Sequence, residues 1–184
     1  TDAISDTNPE IKAANEKKIP VYRRACLLGE ILDGYKKTIG VAGTHGKTTT
    51  SSMITSILME GTENPSAIIG GQMKRINSGF LLGKNDVCAF ESCEYKESYL
   101  HFRPYISVVT NIAEDHMEYF KTLDNLLASF RKYLDNTRPG GTVILNAENE
   151  NSQKMLSLVP YEGKVVTFGY EKGDFHTENI RSDC

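Results

Sequence analysis

The six residues Gly43-Thr44-His45-Gly46-Lys47-Thr48 constrain this chain more than any other segment. They lie between a short β-branched run, Thr38 to Ala42, and a stretch with helical spacing, Lys47 to Glu60. In that stretch Met53, Ile54, Ile57 and Leu58 supply the apolar positions and Gly61 ends the helix. Strand, glycine-rich turn and helix together make a phosphate site. Backbone N–H groups point inward, a helix N-terminus stands behind them, and a cation reaches the outer oxygens. Gly43 and Gly46 permit the turn and Lys47 supplies the cation. The Thr48 hydroxyl suits a magnesium ion that bridges phosphates. In the commoner form of the motif a glycine stands where this chain has Val41. The match is therefore to the shorter Gly-x-x-Gly-Lys-Thr, and its weight comes from the strand before and the helix after.

The rest of the chain alternates as an α/β domain should. Asn8-Pro9-Glu10 combines a capping side chain, a proline suited to the first helical position and an acid at the positive helix end. That helix is expected to run to about Lys17. A short strand follows over Ile19 to Tyr22, then a helix over Arg24 to Tyr35 with Leu27, Leu28, Ile31 and Leu32 on one face. Lys36-Lys37 is a polar break and the expected start of the nucleotide domain. Beyond the phosphate loop, Ala67 to Ile69 reads as a strand, with Gly70-Gly71 and a polar loop through Ser78-Gly79 after it. Val87 to Phe90 and Ile106 to Thr110 read as buried strands. Leu123 to Asn136 is an amphipathic helix closed by Pro139-Gly140-Gly141. A strand (Thr142 to Leu145), a helix (Asn151 to Leu158) and a strand (Lys164 to Phe168) complete the pattern. Strands separated by helices imply crossovers, hence a mainly parallel sheet with helices on both faces.

Composition narrows the function classes. At 184 residues and 39% hydrophobic content the chain can bury a core. The net charge of −3 comes from mixed acids and bases, with no Lys/Arg cluster to track nucleic acid. No apolar run approaches the roughly 20 residues that cross a bilayer. Thr1 to Asp6 lacks the parts of a signal peptide, so a cytoplasmic protein without membrane attachment is expected. Cys26, Cys88, Cys93 and Cys184 form no CxxC pair. Reduced thiols are expected, with Cys26 and Cys88 as small core residues.

Ligands of open α/β sheets bind beyond the carboxyl ends of the strands. Two apolar strands besides the one before the loop end in suitable chemistry. Val87 to Phe90 runs into Glu91, an acid placed either to hold magnesium or to cap the next turn. Glu94, one turn on, either shares that task or is a solvated acid at a helix start. Ile106 to Thr110 leads to Asn111 and then Glu114-Asp115-His116. His116 either binds a second divalent ion beside neighbouring acids or is a packing residue. No second His or Cys stands at zinc-ligand spacing. His45 could touch phosphate; His101 and His176 read as structural.

Three segments together resemble the Mur ligases of cell-wall synthesis. They are Gly43 to Thr50, then Glu91-Ser92-Cys93-Glu94-Tyr95, then Thr110-Asn111-Ile112-Ala113-Glu114-Asp115-His116-Met117-Glu118-Tyr119-Phe120. The opening Asn8-Pro9-Glu10-Ile11, with Ile19-Pro20-Val21 and Arg24-Ala25, is similar to the end of that family's UDP-binding domain. Two departures stand out: Phe90 and Ser92 flank the glutamate where alanine is commoner, and Ala113 replaces a usual Glu. The resemblance implies residues 1–37 as the tail of an N-terminal UDP-substrate domain. It implies 38–184 as a central ATP-binding domain truncated at its C-terminal end. The implied reaction is ATP- and Mg2+-dependent, joining L-alanine to UDP-N-acetylmuramate through an acyl phosphate. Gly43, Thr44, His45, Gly46, Lys47, Thr48 and Thr49 would bind the nucleotide. Lys47, Glu91 and His116 would be catalytic, with Thr48, Glu91 and His116 as metal ligands. Asn111, Glu94, Gly70, Gly71 and Asn77 would face the muramyl substrate. The resemblance leaves oligomeric state open and makes the isolated chain inactive. Two alternatives stand beside it: a nucleotide-binding module without turnover, and a related ligase of muramyl-tripeptide recycling, or a more distant folate or cyanophycin ligase.

Overall fold

The computed structural model describes residues 4–61, 63–158 and 161–178. Two helices lead: α1 (Pro9–Glu16), capped by the Asn8 side chain on the Glu10 amide, and α2 (Arg24–Asp33). Then come β1 (Lys37–Ala42), α3 (Lys47–Glu60), β2 (Ser66–Met73), β3 (Ser78–Leu81) and β4 (Val87–Glu91). A kinked 3-10 segment, Tyr95–His101, leads to β5 (Ile106–Val109), α4 (Met117–Phe120) and α5 (Leu123–Asp135). The last elements are β6 (Thr142–Asn146), α6 (Glu150–Leu158) and β7 (Lys164–Phe168).

Among the described residues the strands form one seven-stranded sheet in the order β3-β2-β4-β1-β5-β6-β7. All neighbours are parallel except β2 and β3. The order turns about β1: the chain fills one side with β4 and the other with β5. That reversal opens a crevice at the carboxyl end of β1, where ligands bind in such sheets. Alternation along the strands sorts the faces. Val109, Val143 and Leu145 join Leu126, Leu127, Phe130, Tyr133 and Leu134 of α5 in the main core. Val108 and Ile144 turn to the opposite face, where Thr50 and Ile54 of α3 lie. The sheet is covered from both sides, as the alternating pattern implies.

Three local expectations fail. Ile19–Tyr22 forms no strand: Ile19, Val21 and Tyr22 are all more than half exposed, and Pro20 has no N–H to give a ladder. The presumed loop after Ile69 is instead strand. Gly70 and Gly71 continue β2, and residues 74–77 turn the chain back into β3. Finally, α3 seats Ser51 and Thr55 against the sheet while Met53 and Ile57 are 60% and 69% exposed. Hydroxyls suit that tight contact because each back-bonds to its own helix, Thr55 to the Ser51 carbonyl at 2.7 Å and Ser51 to Thr48 at 3.1 Å. In α2 the same narrowing leaves Leu28 and Leu32 buried and Leu27 and Ile31 half exposed.

Candidate functional site

Gly43 and Gly46 take φ of +131° and +82°, values that favour glycine. Gly43 is doubly required. A Cβ there would lie 2.2 Å from Thr110 Oγ1 and 3.0 Å from the Asn111 carbonyl. The loop is therefore pressed against the strand tip of β5 and is held there by hydrogen bonds. Thr44 N–H donates to Asn111 O at 3.0 Å, and His45 N–H donates to Asn111 Oδ1 at 3.0 Å. Asn111 Nδ2 returns a bond to His45 O at 2.9 Å, and Thr110 Oγ1 donates to the same carbonyl at 2.6 Å. The Thr44 hydroxyl accepts from Ala113 N–H and donates to its carbonyl, at 2.9 and 3.2 Å.

These bonds revise how the loop residues divide their work. The amides of Thr44 and His45 are spent on Asn111, so the donors left to face phosphate are those from Gly46 through Thr49, at the start of α3. Asn111 serves the loop itself, clamping both backbone groups of His45. Behind it stands a group of three asparagines, of which only Asn151 stands out in the sequence, as a helix start. Asn146 Nδ2 donates to Thr110 O at 3.2 Å, Asn149 Oδ1 accepts from Ile112 N–H at 3.1 Å, and Asn151 Nδ2 donates to Ile112 O at 2.9 Å.

Lys47 turns back over the loop. Its ammonium donates to Gly43 O at 2.5 Å, Thr44 O at 3.2 Å and Glu94 Oε1 at 3.0 Å. Glu94 is 2% exposed, so the solvated reading of that acid fails. His116, at φ +53°, brings Nε2 to 4.0 Å from Glu94 Oε1 and 3.9 Å from Asp115 Oδ2. Its ring packs 4.7 Å from that of Tyr95. Donor atoms of Glu94, Asp115 and His116 all lie within 4.8 Å of one another, which is compact enough for a divalent ion. Desolvation by the surrounding atoms raises the Cys93 thiol above its ordinary value, although the residue as a whole is exposed.

Glu91 ends β4 beside β1 and joins a different group. Its Oε1 accepts from Gly70 N–H at 2.7 Å and from Ser51 Oγ at 3.4 Å. A Cβ on Gly70 would stand 2.5 Å from Oε2, and one on Gly71 would stand 3.2 Å from Thr48 Cγ2. The two glycines thus keep side chains away from the Glu91 carboxylate and from Thr48. Hard oxygen donors of the Thr48 and Glu91 kinds suit magnesium, which retains waters and takes few protein ligands. Asn77 sits in the β2–β3 turn, where its Oδ1 accepts from Gln72 Nε2 at 2.6 Å.

Comparison with known families matches residues 41–183 to the Mur ligase middle domain and residues 1–36 to the Mur ligase family catalytic domain. The full chain is 41% identical to a UDP-N-acetylmuramate–L-alanine ligase of Agathobacter rectalis. It is 38% identical over 183 residues to the enzyme of that name in Clostridium botulinum. In each case the chain spans 40% of the relative's length. Among solved structures, the UDP-N-acetylmuramate–alanine ligase of Thermotoga maritima superposes with a TM-score of 0.78 at 31% identity, covering 93% of this chain and 38% of that one. A ligase of UDP-N-acetylmuramate and L-alanyl-γ-D-glutamyl-meso-diaminopimelate from Neisseria meningitides gives 0.80 at 23% identity, covering 92% and 57%, a likeness of fold.

Proposed function

The chain belongs to the Mur ligase family, and on that premise we propose that it carries the ATP site of a ligase joining L-alanine to UDP-N-acetylmuramate. The observation behind this reading is the glycine loop at the carboxyl end of β1, flanked by β4, which ends in Glu91, and by β5, which leads to His116. In the proposed division, residues 1–37 end a UDP-substrate domain and residues 38–184 belong to the central domain. Alanine as the acceptor amine is favoured over the muramyl-tripeptide alternative by sequence. The alanine ligases stand at 41% and 38% identity, against 23% for the tripeptide ligase structure.

Phosphoryl transfer from ATP to a carboxylate brings two anions together, so the protein's task is positioning and charge neutralisation. Lys47 faces the transferring phosphate with a fixed cationic head. The amides from Gly46 to Thr49 orient the phosphate chain along the axis of α3. Thr48 and Glu91 would hold one magnesium ion, and His116, beside Asp115, would place a second near the acceptor carboxylate. Bound there, the cations would screen the repulsion between acceptor and donor oxygens. The acceptor becomes an acyl phosphate, and the amine displaces phosphate from it. No helix among the described residues is long and apolar enough to cross a membrane.

The test is magnesium-dependent ATP binding by calorimetry on this chain and on Lys47→Ala. A drop of at least about tenfold is expected, the size of one charge-assisted contact to phosphate. Equal affinity in a folded variant would remove the phosphate loop from the nucleotide site.

A further inference from the structure

Among the described residues, Glu94 is the only charged side chain in the buried class. A carboxylate withdrawn from water is strongly disfavoured unless a cation and hydrogen-bond donors replace the water. Here the replacement is Lys47, whose ammonium lies 3.0 Å from Oε1 and 2.9 Å from Oε2. It directs a proton at Oε1 and meets Oε2 by charge alone, because Oε2 has no directed hydrogen bond. His116 Nε2 stands 4.0 Å from Oε1, the oxygen that accepts from Lys47.

An ammonium has three N–H bonds. Gly43 O, Thr44 O and Glu94 take all three. A polyphosphate entering the loop must therefore share Lys47 with acceptors already in place. We propose that Glu94 is a positioning residue for Lys47, fixing its rotamer and neutralising it before the nucleotide arrives, at the expense of affinity for the phosphate chain. The proposal rests on the nucleotide-site reading and deepens it. A lysine stem carries substantial rotamer entropy, and holding it beforehand removes that cost from the bound state. The geometry also gives a sign that separates this role from two others. A metal ligand at Glu94 would strengthen nucleotide binding through magnesium, and a purely structural acid would leave phosphate affinity unchanged. A competing counter-ion weakens it.

The experiment uses the full 184-residue chain, inorganic tripolyphosphate as probe and a chelator to exclude divalent ions. Glu94→Gln keeps the shape and removes the charge. Calorimetry should show tripolyphosphate binding about tenfold tighter than in the parent, the scale of one charge-assisted hydrogen bond that no longer competes. Thermal melting checks that the variant is folded. Should it fail to fold, Glu94→Asp retains the charge but draws it back by one methylene. That variant should shift affinity the same way by about threefold, a fraction of the same contact. Unchanged or weaker binding in a folded variant overturns the proposal, as does loss of magnesium dependence of ATP binding in Glu94→Gln. A parent chain that binds no tripolyphosphate, or binds it equally after Lys47→Ala, refutes the phosphate-loop reading itself.

Discussion

Replacing Gly70 by alanine separates the proposed metal site from the stability of the sheet. The added Cβ would lie 2.5 Å from Glu91 Oε2 and 3.0 Å from its Cδ, where ordinary contact begins near 3.4 Å. The carboxylate must retreat by about 0.9 Å, the difference between those distances, and it gives up the 2.7 Å bond from the Gly70 amide. That bond is worth about 1 kcal/mol. The alanine recovers roughly 0.4–1 kcal/mol by restricting the unfolded chain. The two nearly cancel, so the melting temperature should move by no more than about 3 °C. Magnesium is less forgiving. Its bonds to oxygen are about 2.0–2.1 Å long with near-ideal geometry, and a retreat of this size breaks one. ATP affinity in magnesium should fall at least tenfold, about 1.4 kcal/mol, while metal-free tripolyphosphate binding changes less than about twofold, since the loop amides and Lys47 are untouched. Calorimetry with and without magnesium reads both. Unchanged magnesium-dependent affinity in folded Gly70→Ala would take Glu91 out of the metal site.

Two further outcomes test the scaffold. Tyr133 is wholly buried, with its hydroxyl 3.0 Å from the Gly40 carbonyl and 3.1 Å from Ser92 Oγ. Burial pushes that phenol well above its ordinary value, so it stays a neutral donor. Tyr133→Phe should cost about 1–3 kcal/mol in denaturant unfolding because polar groups lose a buried partner; an unchanged midpoint would refute the bond's role. Glu148 accepts from the amides of Glu171, Tyr170 and Lys172 at 2.5, 2.8 and 3.0 Å, and these bonds hold its carboxyl below the ordinary value. With a lowered folded value, the clamp is fully present above the unfolded carboxyl value of about 4.3 and is lost as pH falls through the folded one. A carboxyl carbon-13 titration should place Glu148 below other glutamates, and a midpoint at the ordinary value would remove the clamp.

The β1–loop–α3 unit was legible in the sequence because each part is specified locally. β-Branched residues make the strand, glycines permit positive φ, and α3 spans Lys47–Glu60 as its spacing implies. The parallel sheet followed from alternation alone. What stayed hidden depends on partners far along the chain. Gly70-Gly71 reads as punctuation, yet the backbone stays extended because Glu91 and Thr48 need the space a side chain would fill. Met53 and Ile57 suggest the inward face of α3, but they are exposed, and the fully buried positions of that helix are Ser51 and Thr55. Glu94 reads equally as a metal-holding acid or a solvated one because nothing local announces that Lys47 will cover it. The family motifs pointed to the residues of the candidate site, and the coordinates revealed which of them hold one another.

The clamp between His45 and Asn111 joins residues 66 positions apart. At roughly 5–20 residues per second, several seconds separate their emergence during synthesis. Until then the turn around His45 has only water to satisfy its backbone, and no strand tip to rest against. A nucleotide bound as proposed would meet a formed cradle only after the middle of the sheet has closed, so it would stabilise the finished domain but have no folded target earlier.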